Sequence, residues 1–132
     1  MPIERPPHDT HESPFKGKTG LMRVVNALRY SLEGLHAAFT HEDAFRQESI
    51  LAAILIPVAL FMPTTALGKA LLIGSVLLVL IVELINSAIE ATVDRVSLER
   101  HQLAKRAKDI GSAAVLFALI NLAVIWGLVV FG

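Results

Sequence analysis

The sequence predicts an all-α membrane protein in which an N-terminal amphipathic surface helix precedes three transmembrane helices. Hydrophobic residues make up 54% of the 132 residues, yet only 6% of the residues are aromatic. A soluble domain of this size could not hide so much apolar surface, because small domains bury a limited fraction of their area. The apolar residues also gather into three blocks, each approaching the roughly 20 residues that a bilayer crossing needs. Lipid is therefore the expected solvent for most of the chain.

The N-terminal segment differs in composition from the rest of the chain. Residues 1–18 are polar, contain several prolines and lack the apolar core of a signal peptide. We expect this segment to be a disordered cytosolic tail, and residues 19–132 to form one membrane domain. A surface helix is predicted over about residues 20–40, where apolar residues recur at helical spacing opposite polar positions such as Arg23.

Three transmembrane helices are predicted at about residues 48–67, 68–96 and 109–131. The first contains Pro57, which a membrane helix tolerates when neighbouring groups satisfy the freed carbonyl. A short turn at residues 62–65 is expected to end the first span. The helical pattern of the second span continues beyond its apolar part into a polar segment.

The distribution of lysine and arginine predicts the orientation of these spans. Basic residues precede the first span and fill the link between the second and third, whereas the link between the first two holds only Lys69. By the positive-inside rule, the N-terminus is cytosolic and the C-terminus is periplasmic. We therefore expect a multi-pass protein of a bacterial inner membrane. The formal net charge is zero, so the sequence has no excess of positive charge that would indicate binding of nucleic acid.

This topology brings six acidic residues to the cytosolic side of the membrane. They are Glu42 and Glu48 near the first span, Glu83, Glu90 and Asp94 in the second, and Asp109 at the start of the third. No acidic residue is expected on the outer side. Ionisable groups are costly in or near a bilayer, so their convergence is a hypothesis for a functional site.

The second span carries the most informative pattern. At about 100° per residue, Asn86, Ser87, Glu90 and Asp94 fall at roughly −60°, +40°, −20° and +20° from Glu83. The polar side chains therefore share one stripe that is directed into the bundle, while the lipid-facing positions stay apolar.

Spacing suggests different roles for two of these carboxylates. Glu83 and Glu90 are about 10 Å apart along the helix axis, too far to bind one ion comfortably. Glu83 adjoins the apolar run, where desolvation favours a proton-accepting carboxyl, so it is a plausible general base that Asn86 could orient. Glu90 is better placed to hold Mg²⁺, which takes carboxylate and phosphate oxygens. Cations for a polyphosphate are offered by Lys105, Arg106 and Lys108.

Four segments carry a specific combination of polar residues. They are Phe45-Arg46-Gln47-Glu48, Glu83-Leu84-Ile85-Asn86-Ser87-Ala88-Ile89-Glu90, Asp94-Arg95 and Arg106-Ala107-Lys108-Asp109-Ile110-Gly111-Ser112. The block Glu-x-x-Asn-Ser-x-x-Glu followed by Ala-Lys-Asp-x-Gly-Ser is highly specific. Together these segments resemble the prokaryotic diacylglycerol kinase family, from about Gly20 to the C-terminus.

The resemblance implies a lipid kinase that transfers the γ-phosphate of ATP to the hydroxyl of diacylglycerol, giving phosphatidic acid. It also implies a homotrimer with shared active sites, whose partners are MgATP, diacylglycerol and membrane lipids. In such an enzyme Glu83 would be the catalytic base. Glu42 and Glu90 would hold the divalent cation.

The resemblance further implies which residues contact the two substrates. The nucleotide would be contacted by Arg23, Tyr30, Glu42, Glu90, Glu99, Arg100, His101, Lys108 and Asp109. The lipid would be contacted by Arg23, Glu48, Glu83, Asn86 and Ser112. The chain departs from the family pattern at Leu32, Glu33 and His36 and at residues 97–100, which bears on lipid preference and nucleotide affinity and not on the reaction.

Simpler interpretations remain open for some of these residues. Glu83 and Glu90 could pair with Arg95 or Lys108 inside a bundle, and Glu42 could be a solvated helix cap. Gly17-Lys18-Thr19 is not a P-loop, because Glu12 stands where the motif needs its first glycine and the proline-rich tail offers no preceding strand.

Other functions are compatible with three membrane helices. The nearest is a kinase of the same fold that acts on undecaprenol, although the Phe45–Glu48 motif resembles the diacylglycerol branch more closely. A proton-coupled transporter would place an acid near the middle of the membrane, whereas the acids here are predicted at one interface. A non-catalytic scaffold would bind no nucleotide.

Overall fold

The computed structural model describes residues 20–96 and 101–132, with His101 described by its backbone alone. The described chain consists of four α-helices: α1 (Gly20–His41), α2 (Asp43–Phe61), α3 (Ala66–Val96) and α4 (His101–Phe131). Helices α2, α3 and α4 are long and apolar enough to cross a membrane. The predicted all-α membrane fold is therefore confirmed. The predicted tail at residues 1–18 lies outside the described residues.

The part of α1 up to His36 belongs to a structural unit separate from the unit Ala37–Gly132. Its apolar side chains are exposed, including Leu21 at 74%. The guanidinium carbon of Arg29 lies 5.2 Å from the centroid of the Tyr30 ring, which is a cation–π contact. A helix with an exposed apolar stripe and a polar face suits the plane of a membrane interface.

The junction between α1 and α2 is fixed by Arg46. Glu42 has an extended backbone (φ −115°, ψ 107°) and separates the two helices. The guanidinium of Arg46 donates hydrogen bonds to the carbonyls of Phe39 (3.2 Å) and Thr40 (3.1 Å), and it pairs with Asp43. Because the last carbonyls of a helix have no partner within that helix, Arg46 satisfies the end of α1 while it belongs to α2.

Helix α2 ends earlier than the predicted first span, at Phe61 instead of about residue 67. The cause is Pro63, which lacks an N–H and restricts the residue before it, so Met62 is extended (φ −65°, ψ 140°). The hydroxyl of Thr65 then accepts a hydrogen bond of 3.1 Å from the N–H of Gly68. This bond caps the start of α3.

Helix α3 is central and packs against both α2 and α4. Its buried residues recur at intervals of mostly three and four and form one stripe: Gly68, Leu72, Ser75, Val76, Val79, Glu83, Asn86 and Ser87. The flanking helices contribute mainly small buried residues, namely Ala52 and Ala59 from α2 and Gly111 and Ala118 from α4. Small residues let helix backbones approach closely. The interface is largely apolar near the start of α3 and polar near Glu83.

Helix α4 begins at His101, well before the predicted start of the third span near residue 109. Residues 102–108 consist of glutamine, leucine, alanine, lysine and arginine, all of which favour a helix. The C-terminal part of the predicted link is therefore helical. As a result, Lys105, Lys108 and Asp109 lie on one rigid element.

Trp126 joins α3 and α4 far from the charged end of the interface. Its indole N–H donates to the hydroxyl of Ser75 (3.2 Å) and to the carbonyl of Leu72 (3.3 Å). The Ser75 hydroxyl also donates to the Leu72 carbonyl, at 2.7 Å. These buried polar groups are thus satisfied within the protein.

The close approach of α3 and α4 can be tested by substitutions at two glycines of α4. A Cβ at Gly111 would collide with the side-chain oxygen of Asn86, whereas a Cβ at Gly127 would meet nothing within 4 Å. Gly111→Ala should lower the thermal midpoint in detergent, because overpacking a core costs about 1–3 kcal/mol. Gly127→Ala should keep or raise it, because alanine is favoured over glycine in a helix by roughly 1 kcal/mol. Circular dichroism melts measure both variants, and equal midpoints would contradict the close contact.

Candidate active site

Helix α3 places a group of polar side chains inside an otherwise apolar interface. Glu83 is 5% exposed, Asn86 7% and Ser87 8%, and Glu90 one turn further on is half-buried. The intervening Ile85 and Ile89 are exposed. The polar stripe that the helical spacing predicts therefore faces the neighbouring helices.

Four of the six predicted acidic residues come together around Glu83. Its carboxylate lies close enough to those of Glu90 and Glu42 for their charges to interact. Glu48, on α2, interacts with Glu83 in the same way. Like charges in a partly dehydrated space repel one another, so this cluster favours binding of a cation. We call Glu42, Glu48, Glu83 and Glu90 the carboxylate cluster.

Glu42 of the carboxylate cluster and the nearby Asn86 differ from interpretations that the sequence left open. Glu42 occupies the N-cap position of α2, but its side chain makes no capping hydrogen bond, so its carboxylate is not engaged as a cap. Asn86 was a candidate to orient Glu83. Its amide nitrogen instead donates to Oε1 of Glu90, at 3.4 Å, because residues four apart on a helix are neighbours.

Two lysines of α4 are paired with the two remaining acids of the predicted six. Lys108 Nζ lies 2.5 Å from Asp94 Oδ1 and connects α4 to α3. Lys105 Nζ lies 2.6 Å from Asp109 Oδ2 within α4. The alternative in which Lys108 pairs with a buried glutamate is wrong for the described residues, although its charge does interact with that of Glu90. A cation is therefore held at the edge of the cluster.

An open groove of about 440 Å³ lies beside these ion pairs on α4. It is lined by Gln102, Lys105, Arg106, Asp109, Ile110 and Ala113. Charged side chains line the end nearer the start of α4, and apolar side chains line the other end. The groove therefore offers charged groups of α4 to a polar ligand.

The donor set is compatible with a magnesium ion that is shared with a phosphate group. Among the described residues no group of three or more His, Cys, Asp or Glu side chains could hold a metal by itself. Mg²⁺ usually takes one or two carboxylates and completes its shell with water and substrate phosphates. Glu42, which is not used as a cap, and Glu90 supply hard oxygen ligands of this kind.

The other predicted site residues are on α4, on α1 or outside the described residues. Ser112 is exposed on α4. Arg23 and Tyr30 are exposed on α1, in its separate unit. The predicted nucleotide contacts Glu99 and Arg100, and the side chain of His101, lie outside the described residues.

Sequence reasoning assigned no role to two residues that the structure places in the site. Ser87 was recognised as part of the polar stripe, and its hydroxyl is buried without a hydrogen-bond partner. Asp94 was expected near the membrane surface, and it holds Lys108. The helical spacing places both residues in the polar stripe, but their contacts can be seen only once the side chains are packed.

Comparison with known proteins agrees with the family resemblance of the sequence. The family model of prokaryotic diacylglycerol kinase matches residues 29–130. A diacylglycerol kinase of Pseudomonas aeruginosa is 58% identical over 120 residues, covering 91% of this chain and 98% of the relative. Those of Haemophilus influenzae (50% identity, 86% and 96% covered) and Escherichia coli (49% identity, 82% and 88% covered) are also similar. The chain belongs to the prokaryotic diacylglycerol kinase family.

Proposed function

We propose that this chain is a diacylglycerol kinase, which transfers the γ-phosphate of ATP to the hydroxyl of diacylglycerol and yields phosphatidic acid. The observation that carries the proposal is the carboxylate cluster around the buried Glu83, in a chain of this family. A buried carboxylate beside lipid can reach an alcohol that stays in the membrane. The charged groups on α4 face a water-soluble co-substrate.

Glu83 acts as the general base. Its side chain is 5% exposed and lies in a helix that crosses the membrane, so the acceptor hydroxyl can approach it without leaving the lipid phase. Its carboxylate shares the polar end of the helix interface with those of Glu42 and Glu90. Positioning of the substrates and electrostatic stabilisation are the main contributions that a protein makes to phosphoryl transfer, and a general base adds acceptance of the hydroxyl proton.

Glu42 and Glu90 would hold Mg²⁺. When bound, the cation would supply charge neutralisation for the phosphates of ATP. Asn86 fixes the Glu90 carboxylate through its amide hydrogen bond. The charge of Lys108 interacts with that of Glu90. Lys108 releases Asp94, binds phosphate oxygens instead and so neutralises the transferring group.

The remaining substrate contacts follow the family resemblance. Asp109 contacts the nucleotide beside the open groove on α4. Further nucleotide contacts come from Arg23, Tyr30, Glu99, Arg100 and His101. The lipid is contacted by Arg23, Glu48, Asn86 and Ser112, of which Glu48 and Asn86 each have a buried oxygen without a partner.

The protein acts in the inner membrane as a homotrimer with shared active sites. Lysine and arginine concentrate at the ends that carry the carboxylate cluster, which supports a cytosolic site and a periplasmic C-terminus. Large apolar side chains on α2 and α4, such as Ile54 (58%) and Phe117 (71%), are exposed in the single chain. Lipid and neighbouring subunits cover such faces.

Transfer of labelled γ-phosphate from ATP to diacylglycerol in mixed micelles tests the proposed function directly. Glu83→Gln should remove most turnover while MgATP still raises the thermal midpoint, because binding to the native state stabilises it. Asp43→Asn is the matched control, since it neutralises an exposed acid of α2 outside the carboxylate cluster. A near-normal rate for Glu83→Gln would rule out the base assignment.

The cation site is tested by the magnesium dependence of the rate. Glu90→Gln should raise the half-saturating Mg²⁺ concentration by about tenfold or more, since a charged ligand contributes more than the roughly 1.4 kcal/mol that a factor of ten represents. Asp43→Asn should leave that concentration unchanged. An unchanged Mg²⁺ dependence in Glu90→Gln would show that Glu90 is not a ligand.

The choice of lipid alcohol is tested by comparing diacylglycerol and undecaprenol at matched mole fraction. We expect kcat/KM to be higher for diacylglycerol, because the curated relatives carry that name. A higher kcat/KM for undecaprenol would overturn the substrate assignment and leave the phosphoryl-transfer site in place.

A further inference from the structure

Ser87 is a buried polar residue of α3 to which the mechanism above gives no role. Its side chain is 8% exposed, and its hydroxyl oxygen is buried without a hydrogen-bond partner among the described residues. A buried hydroxyl left unpaired costs about 1–3 kcal/mol, and native proteins rarely leave one so. A group that is not part of the described chain is therefore expected to pair with it.

Other hydroxyl groups in these helices bond to the backbone one turn earlier. Ser31 donates to the carbonyl of Ala27 at 2.8 Å, and Thr92 donates to that of Ala88 at 2.8 Å. Thr92 is only five residues beyond Ser87 on the same helix. Ser87 could make the same bond to Glu83, but it does not. Its hydroxyl is thus left available to another partner.

Ser87 is also next to the proposed general base. It follows Glu83 by one turn, about 6 Å along the axis and 40° around it. Asn86 faces Gly111 of α4, and Ser87 is about 100° further round the helix. Ser87 therefore lies in the buried polar stripe on the other side of Glu83 from Asn86.

The unpaired buried atoms in this region have complementary hydrogen-bonding character. They are Glu48 Oε2, Asn86 Oδ1 and Ser87 Oγ. The carboxylate and amide oxygens only accept hydrogen bonds when the carboxylate is charged, whereas a serine hydroxyl can donate one. The hydroxyl of a lipid alcohol can accept a hydrogen bond from Ser87 while its single proton is directed to a carboxylate, so it suits a site with both kinds of group.

On the basis of the proposed function, we propose that Ser87 donates a hydrogen bond to the oxygen of the acceptor hydroxyl of the lipid. In the transfer, the O–H bond of the lipid breaks and its proton passes to Glu83. The freed electron pair forms the bond to the γ-phosphorus, and the bond from that phosphorus to the bridging oxygen breaks, so that ADP leaves with its electron pair. Ser87 holds the attacking oxygen in line while charge develops on it.

The test compares two buried serines of α3. Ser87→Ala should lower kcat/KM for diacylglycerol by about tenfold, the effect of one hydrogen bond near developing charge, with KM for ATP unchanged within about twofold. Its thermal midpoint without substrate should not fall, because the hydroxyl has no partner within the described chain.

Ser75→Ala is the matched control: Ser75 is 2% exposed, but it bonds to Leu72 and Trp126. That variant should lose stability and keep kcat/KM.

Ser87→Cys separates hydrogen bonding from volume, because a thiol fills similar space but donates weakly. It should stay impaired. Wild-type kcat/KM in Ser87→Ala, or full activity in Ser87→Cys, would overturn the assignment, as would a fall in midpoint that matches Ser75→Ala. If the wild-type protein is active and Glu83→Gln is not, such results refute the role of Ser87 alone. An inactive wild-type protein would refute the proposed function itself.

Discussion

The structure depends on one electrostatic constraint, which is that four carboxylates share the polar end of a membrane helix interface. Repulsion between Glu83 and its neighbours Glu42, Glu48 and Glu90 opposes this arrangement. The nearest lysines do not relieve it directly, because Lys105 and Lys108 form ion pairs with the outer acids Asp109 and Asp94. The described chain therefore leaves the cluster short of positive charge. A metal ion and a proton are the partners that such a cluster binds best.

The rest of the fold positions this cluster. Arg46 ties the end of α1 to the start of α2, which places Glu42 beside the interface. Gly111 lets α4 approach Asn86, and Asn86 in turn holds Glu90. At the opposite end, Trp126 locks α4 to α3 through ordinary satisfied hydrogen bonds. Stability is thus concentrated in the apolar part of the interface, while unpaired polar atoms are found where chemistry is proposed.

The fold class and the polar stripe could be predicted from the sequence, since both follow from periodicity. Three apolar blocks predict three membrane helices, and a step of about 100° per residue puts Glu83, Asn86, Ser87 and Glu90 on one face. Spacing suggested roles for Glu83 and Glu90, and the roles of the other residues came from the family resemblance. All of these roles remain predictions to be tested by substitution. Once the structure is known, the neighbouring residues also explain the helix boundaries, such as the end of α2 before Pro63.

Side-chain partners could not be predicted in the same way. Whether Asn86 bonds to Glu83 or to Glu90, and whether Lys108 pairs with Asp94 or a buried acid, depends on rotamers and on the offset between α3 and α4. The unpaired hydroxyl of Ser87 is equally invisible to periodicity, because a serine at this position could bond to its own helix. Each of these details requires the packed interface.

The central claim is that the buried acid of α3 serves chemistry and not folding. It is tested most directly by the thermal midpoint of the ligand-free Glu83→Gln protein in detergent. Because the charge on Glu83 is repelled by its neighbours, the account predicts that the midpoint stays the same or rises. A fall of several degrees would mean that the Glu83 carboxylate stabilises the helix assembly, and it would contradict the account.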